Sequence, residues 1–308
     1  MAINVSALTA FVDEQKMSLI GKSVISAKSA KLLNLQTGVK GSAAINILNN
    51  TTVFGDGSAC GWSEAGTSVL SQRKITTGAI KINKAYCDKT LLKYWAGYDV
   101  KVAAGNKSLP FEQEFINAEI EGVAAALEVA IWQGDTGSGS ANLNKFDGLI
   151  KIFDAATGVI DADNTGITAI TESNVITVVD NVFKAIPAEL LDKDDVVIVC
   201  GADTFRKYVV ALRTANMFHY VYDLEAGMEL VIPGTSIKLT AVNGLNGTDR
   251  LFAFQTSNVY YGTDLEGDEE KFAFWYSQDN LEYRLSIEFV AGVQVAFPDQ
   301  VVSFIKAS

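Results

Sequence analysis

Between Leu281 and Phe297 the chain reads LEYRLSIEFVAGVQVAF, and every odd-numbered position in that run is apolar. Glu282, Arg284, Ser286, Glu288 and Gln294 fall on the other side. A period of two marks a strand with one face in a core and one face outside it. The run covers 17 residues, whereas an ordinary strand has about five or six. A strand this long pairs along its length only in an extended, plank-like sheet, and Gly292 is where it can bend.

The second constraint is LPFEQEFINAEIEGVAAALEVAIWQGD, Leu109 to Asp135, which predicts one long helix. Ser108 is placed to cap it, Pro110 is tolerated in its first turn, and Gly134 supplies a stop. Ile116, Ile120, Val123, Leu127 and Ala130 recur at spacings of four, three, four and three and make one narrow apolar stripe. Glu114, Glu121 and Glu128 fall opposite that stripe at about 100° per residue. The helix is expected to lie along the sheet with an acidic outer face. It contains no Lys or Arg to answer that charge.

The cations lie elsewhere. The formal charge is −11, with residues 15–107 holding 13 Lys or Arg against 4 acids, and residues 108–308 holding 12 against 30. From Gln15 to Gly55 there are five lysines (Lys16, Lys22, Lys28, Lys31, Lys40) and no acid. Three readings stay open for a chain this bipolar. One surface of a monomer is basic, or a basic arm reaches across acidic surfaces of neighbouring copies, or the basic region touches nucleic acid.

At 308 residues, 48% of them hydrophobic and 20% charged, the chain can bury a large core in two domains or one large one. Its start, MAINVSALTAFVDEQ, lacks the basic and apolar regions of a secretory signal. GVAAALEVAIW is too short to span a bilayer and includes Glu128. Cys60, Cys87 and Cys200 are odd in number and widely spaced, which argues against a disulfide framework and for a reducing cytoplasm.

Along the rest of the chain, residues 6–33 read as one or two short helices on an extended arm, weakened by Gly21 and several serines. AAINIL, TTVFGDGSACGW and KITTGAIKINK read as β and loop, with 62–84 a two-stranded flap. CDKTLLKYWAG predicts a short helix. Asn174–Ile186 and Ala202–Ala215 predict two helices flanking a buried strand, DVVIVCG. After Pro233 the chain is β-rich: SIKLTAV, RLFAFQTSNVYYG, EKFAFWYS.

Motifs for catalysis are missing. His219 is the only histidine, so every Ser-His-Asp or Cys-His arrangement would have to use it, and there is no G-x-S-x-G elbow. Gly21-Lys22-Ser23 ends like a P-loop, but Lys16 stands at the first required glycine. GDGSACG lacks the third glycine of a dinucleotide fingerprint and opens no helix. DADNTGITAITE sets Asp161, Asp163, Thr165, Gly166 and Glu172 at calcium-loop positions. Thr165 is a weak ligand and no entering helix precedes the loop. A polar loop leading to a helix capped by Thr171 is preferred. No catalytic, cofactor-binding or metal-ligating residue is assigned, and no enzyme emerges.

The order of elements is basic arm, β flap, long helix, α/β middle and long terminal strand. It resembles the major capsid proteins of tailed bacteriophages, with the Hong Kong 97-type capsid fold, an α+β architecture. GWSEAG followed by KITTGAIKINKAYCDKTLLKYW is similar to the family's extended β-hairpin loop. The helix ending AIWQGD, with KFDGLI soon after, is similar to its spine helix, and NVYYGTDLEGDEEKFAFWYSQDNLEYRLSIEFVAGVQVAFPDQVVSFI to its closing strands. A weaker likeness is to capsid proteins of phages infecting Bacteroidetes. The resemblance implies an N-terminal arm (1–50), an extended loop (51–85), a peripheral domain (86–160 and 262–308) and an axial domain (161–261). It implies an icosahedral virion shell of pentamers and hexamers around double-stranded DNA, assembled in the host bacterial cytoplasm. Portal, scaffold and decoration proteins are implied partners, with no sequence-specific DNA contact, no membrane and no cofactor. The acidic helix would then be met by another subunit: Glu114, Glu121 and Glu128 by Lys22, Lys28 and Lys31 of an arm, or Arg73 and Lys74 of a loop. Lys74, Lys81 and Lys84 lie near the loop, yet no residue matches the Lys–Asn crosslink of some members. An encapsulin-type compartment shell is the nearest alternative, and a monomeric β-rich binding module the more distant one.

Overall fold

The computed structural model describes residues 27–54, 60, 66–87, 111–215, 228–264 and 272–307, with only the backbone at 111–114. The arm before Ala27, the cap at Ser108, Pro110, the helix expected at CDKTLLKYWAG, most of GDGSACG, and His219 lie outside these residues.

The elements, in chain order, are α1 (Lys28–Leu32), β1 (Asn34–Gln36), β2 (Ser42–Thr51), β3 (Thr67–Thr76), β4 (Gly78–Cys87), α2 (Phe111–Gln133), α3 (Leu149–Ala155) and β5 (Ile160–Asp161). Then follow α4 (Val175–Ala185), α5 (Ala188–Leu191), β6 (Val196–Cys200), α6 (Ala202–Thr214), β7 (Glu229–Val231) and β8 (Lys238–Ala241). β9 (Leu251–Gln255), β10 (Val259–Thr263), β11 (Phe272–Ser277), β12 (Glu282–Val295) and β13 (Val302–Phe304) complete the described chain.

The terminal alternation is β12, 14 residues long, with Leu285, Ile287, Phe289, Ala291, Val293 and Val295 buried. It organises the first sheet. β4 runs antiparallel along one side, from Cys87 opposite Glu282 to Gly78 opposite Ala291. β11 and β10 share the other side, β11 against Glu282–Ile287 and β10 against Ala291–Val295. β1 adds in parallel outside β10. Gly292 serves close approach: a Cβ there would sit 2.4 Å from the Thr76 carbonyl oxygen.

The second sheet has the order β5-β13-β9-β6-β8-β7 and is covered on both faces. Val196, Ile198 and Cys200 join one core with α4 and α6, while Val197 and Val199 join the other with α2 and α3. Burial on both faces explains why VVIVC is a continuous apolar run and not an alternation. Trp132 of α2 is fully buried and stacks on Phe252 of β9, ring centroids 5.9 Å apart. The long helix thus bridges the two sheets.

Several expectations need correction. The two-stranded ribbon is β2 with β3, paired from Ser42–Thr76 to Thr51–Thr67, and not 62–84. β4, expected in the flap, belongs to the first sheet because β12 offers it a full-length partner. β13 pairs with β9 in the second sheet, whereas β10 pairs with β12 in the first. The helix after the polar loop has Asn174, not Thr171, at its cap position. Asn174 Oδ1 accepts the Thr171 N–H at 2.8 Å, which closes the preceding turn. Gly134 does end α2, but for space: a Cβ there would come 2.5 Å from the Phe146 carbonyl oxygen.

Candidate assembly surfaces

The arm-to-helix junction is built from residues far apart in sequence. Glu128 is 4% exposed, and Ser29 occupies both its oxygens: the Ser29 N–H donates to Oε2 at 2.8 Å and its hydroxyl to Oε1 at 2.6 Å. Trp132 Nε1–H donates to the same hydroxyl at 2.6 Å. Glu128 and Trp132 are one turn apart on α2, so a single serine reaches both. Hydrogen bonds to a carboxylate are short and strong, which offsets part of the cost of burying it without a cation. Ala27, Ala30 and Leu33 enter the same core. The acidic outer face expected of α2 therefore excludes Glu128. The helix is enclosed on a second side by α1 and by the turn Asn243–Leu245, where Gln133 Nε2 donates to the Gly244 carbonyl at 2.7 Å.

The other predicted charges separate. Glu121 is exposed; Lys22 and the Glu114 side chain lie outside the described residues. Lys28 is 3.6 Å from Glu229 of its own chain. Lys31, Arg73, Lys74 and Glu121 have no ion-pair partner among the described residues. The β4 lysines are already engaged, Lys84 with Glu119 of α2 and Lys81 with Glu288 of β12 at 2.5 Å. Part of the helix's acidity is thus answered within the chain, from β4.

The ribbon is the least finished surface. Its base is pinned by Val39, Ile45, Ile47, Ile75 and Ala296. Its outward face carries Asn46, Leu48 and Asn50 opposite Gln72, Leu70 and Ser68. Gln72 donates to Asn46 Oδ1 at 2.8 Å and Ser68 to Asn50 Oδ1 at 2.9 Å, pinning the register across the strands. Between those polar pairs Leu48 and Leu70 are 59% and 77% exposed, and beyond them Phe54 is 96% exposed. Sequence reasoning did not single these out. The available signal was adjacent Ile47 and Leu48, which breaks a one-sided alternation and calls for cover on both faces.

Among the described residues no three of His, Cys, Asp and Glu converge to hold a metal. Asp163 Oδ1 accepts the Thr165 hydroxyl at 2.7 Å and its N–H at 3.0 Å, bonds that lower the carboxyl's pKa. Cys60 and Cys87 are exposed, while burial pushes the Cys200 thiol up to about 12.

No family model and no curated protein matches the chain. Solved structures do. A satellite phage P4 procapsid including size determination (Sid) protein superposes with a TM-score of 0.63 at 12% identity, covering 94% of this chain and 90% of that one. Gordonia phage Cozz gives 0.58 at 10% identity, with 92% and 87% covered. The capsid of Myoviridae phage XM1 gives 0.54 at 12%, with 90% of each covered. The fold is that of phage capsid shells. At 10–12% identity, likeness of shape says nothing about individual contact residues.

Proposed function

We propose that this chain is the major capsid protein of a tailed phage, self-assembling into an icosahedral shell around double-stranded DNA. The carrying observation is the pairing of a capsid fold over more than nine-tenths of the chain with a ribbon whose apolar tip is left exposed by the described residues. Isolated two-stranded ribbons are marginally stable in water, so a ten-residue ribbon tipped with Leu48, Leu70 and Phe54 is suited to being covered by another copy. The finer reading is the Hong Kong 97-type arrangement: α2 as spine, the first sheet peripheral, the second sheet axial, and pentamers and hexamers as building units. Assembly in a bacterial cytoplasm, a Bacteroidetes host, and portal, scaffold or decoration partners belong to the same reading.

For the interface we retain Glu121 with Glu114 as the acidic side, and Lys31, Arg73, Lys74 and Lys22 as the basic side. Glu128 and Lys28 drop out because each is engaged within the chain. Reversing Glu121 to Lys leaves the subunit folded and slows or blocks shell formation; shells forming at wild-type rate would sink this pairing.

The direct test is size exclusion with light scattering on the intact chain, then negative-stain imaging of the leading fraction. Megadalton shells, pentamers or hexamers support the reading. A monomer that persists at high concentration with its scaffold present refutes it. A compartment shell with protein cargo is the second reading; the same fold also matches a virus-like particle from Pyrococcus furiosus, at TM-score 0.53 and 9% identity, covering 95% of this chain and 98% of that one. Nucleic acid in native particles decides between the two.

A further inference from the structure

The ribbon has two strands, so each of them is an edge. Its register fixes which backbone groups face outward. The Thr77 N–H donates to the Gly41 carbonyl at 3.0 Å, at the foot of the ribbon. Bonded and open pairs alternate along an antiparallel ladder. The pairs Ala43–Ile75, Ile45–Arg73, Ile47–Ser71 and Asn49–Val69 therefore bond within the ribbon. Ala44, Asn46, Leu48 and Asn50 of β2 turn their N–H and C=O groups away from it, as do Ser68, Leu70, Gln72 and Lys74 of β3.

The two edges differ. On β3 the Lys74 carbonyl accepts from Gln294 Nε2 of β12 at 2.9 Å, and Arg73 and Lys74 charge the strand. On β2 the outward groups of Ala44, Asn46, Leu48 and Asn50 have no partner among the described residues. The strand, SAAINILNNT, contains no charge and no proline, which are the usual guards of an open edge. A bare edge of this length is a template for one more strand.

Charge and side-chain pattern select the occupant. An uncharged strand meets an identical strand without repulsion. Two like strands related by a two-fold axis run antiparallel. With Leu48 opposite its counterpart, Asn46 falls opposite Asn50 of the second copy. Leu48, 59% exposed in the single chain, is then covered by leucine. Asn46 accepts from Gln72 through Oδ1, and its Nδ2 has no acceptor among the described residues, so it is free to meet the Asn50 amide. Shifting the register by two residues in either direction sets Leu48 against an asparagine.

We propose that two copies of the chain join through their β2 edges, antiparallel about a two-fold axis at Leu48, in a four-stranded sheet of order β3-β2-β2-β3. The proposal rests on the reading of the ribbon as a contact between copies, and it names the edge and the partner.

The test is oxidative crosslinking of the full chain, with the exposed Cys60 and Cys87 changed to Ser and oxidised glutathione added. Leu48→Cys is expected to give a covalent dimer, because bonded partners lie about 5.5 Å apart between Cα atoms, within the disulfide range of about 4.4–6.8 Å. Leu70→Cys is expected to stay uncrosslinked, its counterpart being three strand spacings of about 4.8 Å away. Asn46→Pro added to Leu48→Cys removes one edge N–H per copy and leaves the bonds within the ribbon, so dimer yield falls about ten-fold. Absence of the Leu48→Cys dimer overturns the proposal, and shells in that same sample would keep the shell reading standing. Equal crosslinking at positions 48 and 70 also overturns it. Dimers without shells support the edge pairing and count against the shell.

Discussion

The ribbon and the junction between α1 and α2 are built from the same materials and end in opposite states. Each carries neighbouring polar and apolar side chains on elements joined across long stretches of sequence. At the junction every group finds a partner in its own chain: Glu128 in Ser29, Ser29 in Trp132, Trp132 on Phe252. On the ribbon only the polar ladder is satisfied, through Asn46–Gln72 and Asn50–Ser68, while Leu48, Leu70 and Phe54 stay in water. One region is finished by folding; the other is left open by the described residues, as the proposed shell contact requires. Apolar groups exposed together are how a surface marks an interaction site.

The largest test of this contrast removes the centre of the junction. Trp132→Ala deletes a fully buried ring between α2 and the second sheet, and costs about 3–5 kcal/mol of subunit stability. Chemical denaturation of the subunit checks it. A loss below about 1 kcal/mol would mean that α2 is not the bridge between the sheets.

Glu128→Ala comes next. It strips the acceptors from the Ser29 N–H and hydroxyl and leaves both donors buried, at a cost of about 2–3 kcal/mol. Combining it with Ser29→Ala tests the coupling directly: the double variant loses less than the sum of the singles, because each single change orphans the other partner. Additive losses would break the pairing.

The parts of this architecture that were legible in the sequence are those written in local period. The alternation through Leu285 and Val295 gave β12, the run VVIVC gave a strand covered on both faces, and the stripe from Ile116 to Ala130 gave the buried face of α2. What the period could not carry was pairing. Glu128 lies opposite the apolar stripe, and its burial depends on a serine 99 residues earlier. β4 alternates like a ribbon strand, and only β12, about two hundred positions later, claims it for the first sheet. A two-residue period says that a face is covered and is silent about what covers it. The same silence hid the ribbon tip, where Leu48 and Leu70 look like ordinary strand residues until the pairing shows them side by side and exposed.

The smallest effect on the subunit is expected at that tip, and it sharpens the contrast most. Phe54→Ser with Leu70→Asn replaces side chains that touch water in the free chain, so subunit stability changes by no more than about 0.5 kcal/mol. Assembly behaves differently. Each copy loses apolar area that a neighbour would bury, at roughly 25 cal/mol per Å², and every ribbon in a closed shell repeats the loss. Light scattering on the double variant therefore shows folded subunits that no longer form shells under conditions where the parent does. A variant that assembles at the parent's rate would place the ribbon tip outside the contacts. A variant that unfolds would show that the tip is packed within its own chain after all, and would erase the difference between the two regions.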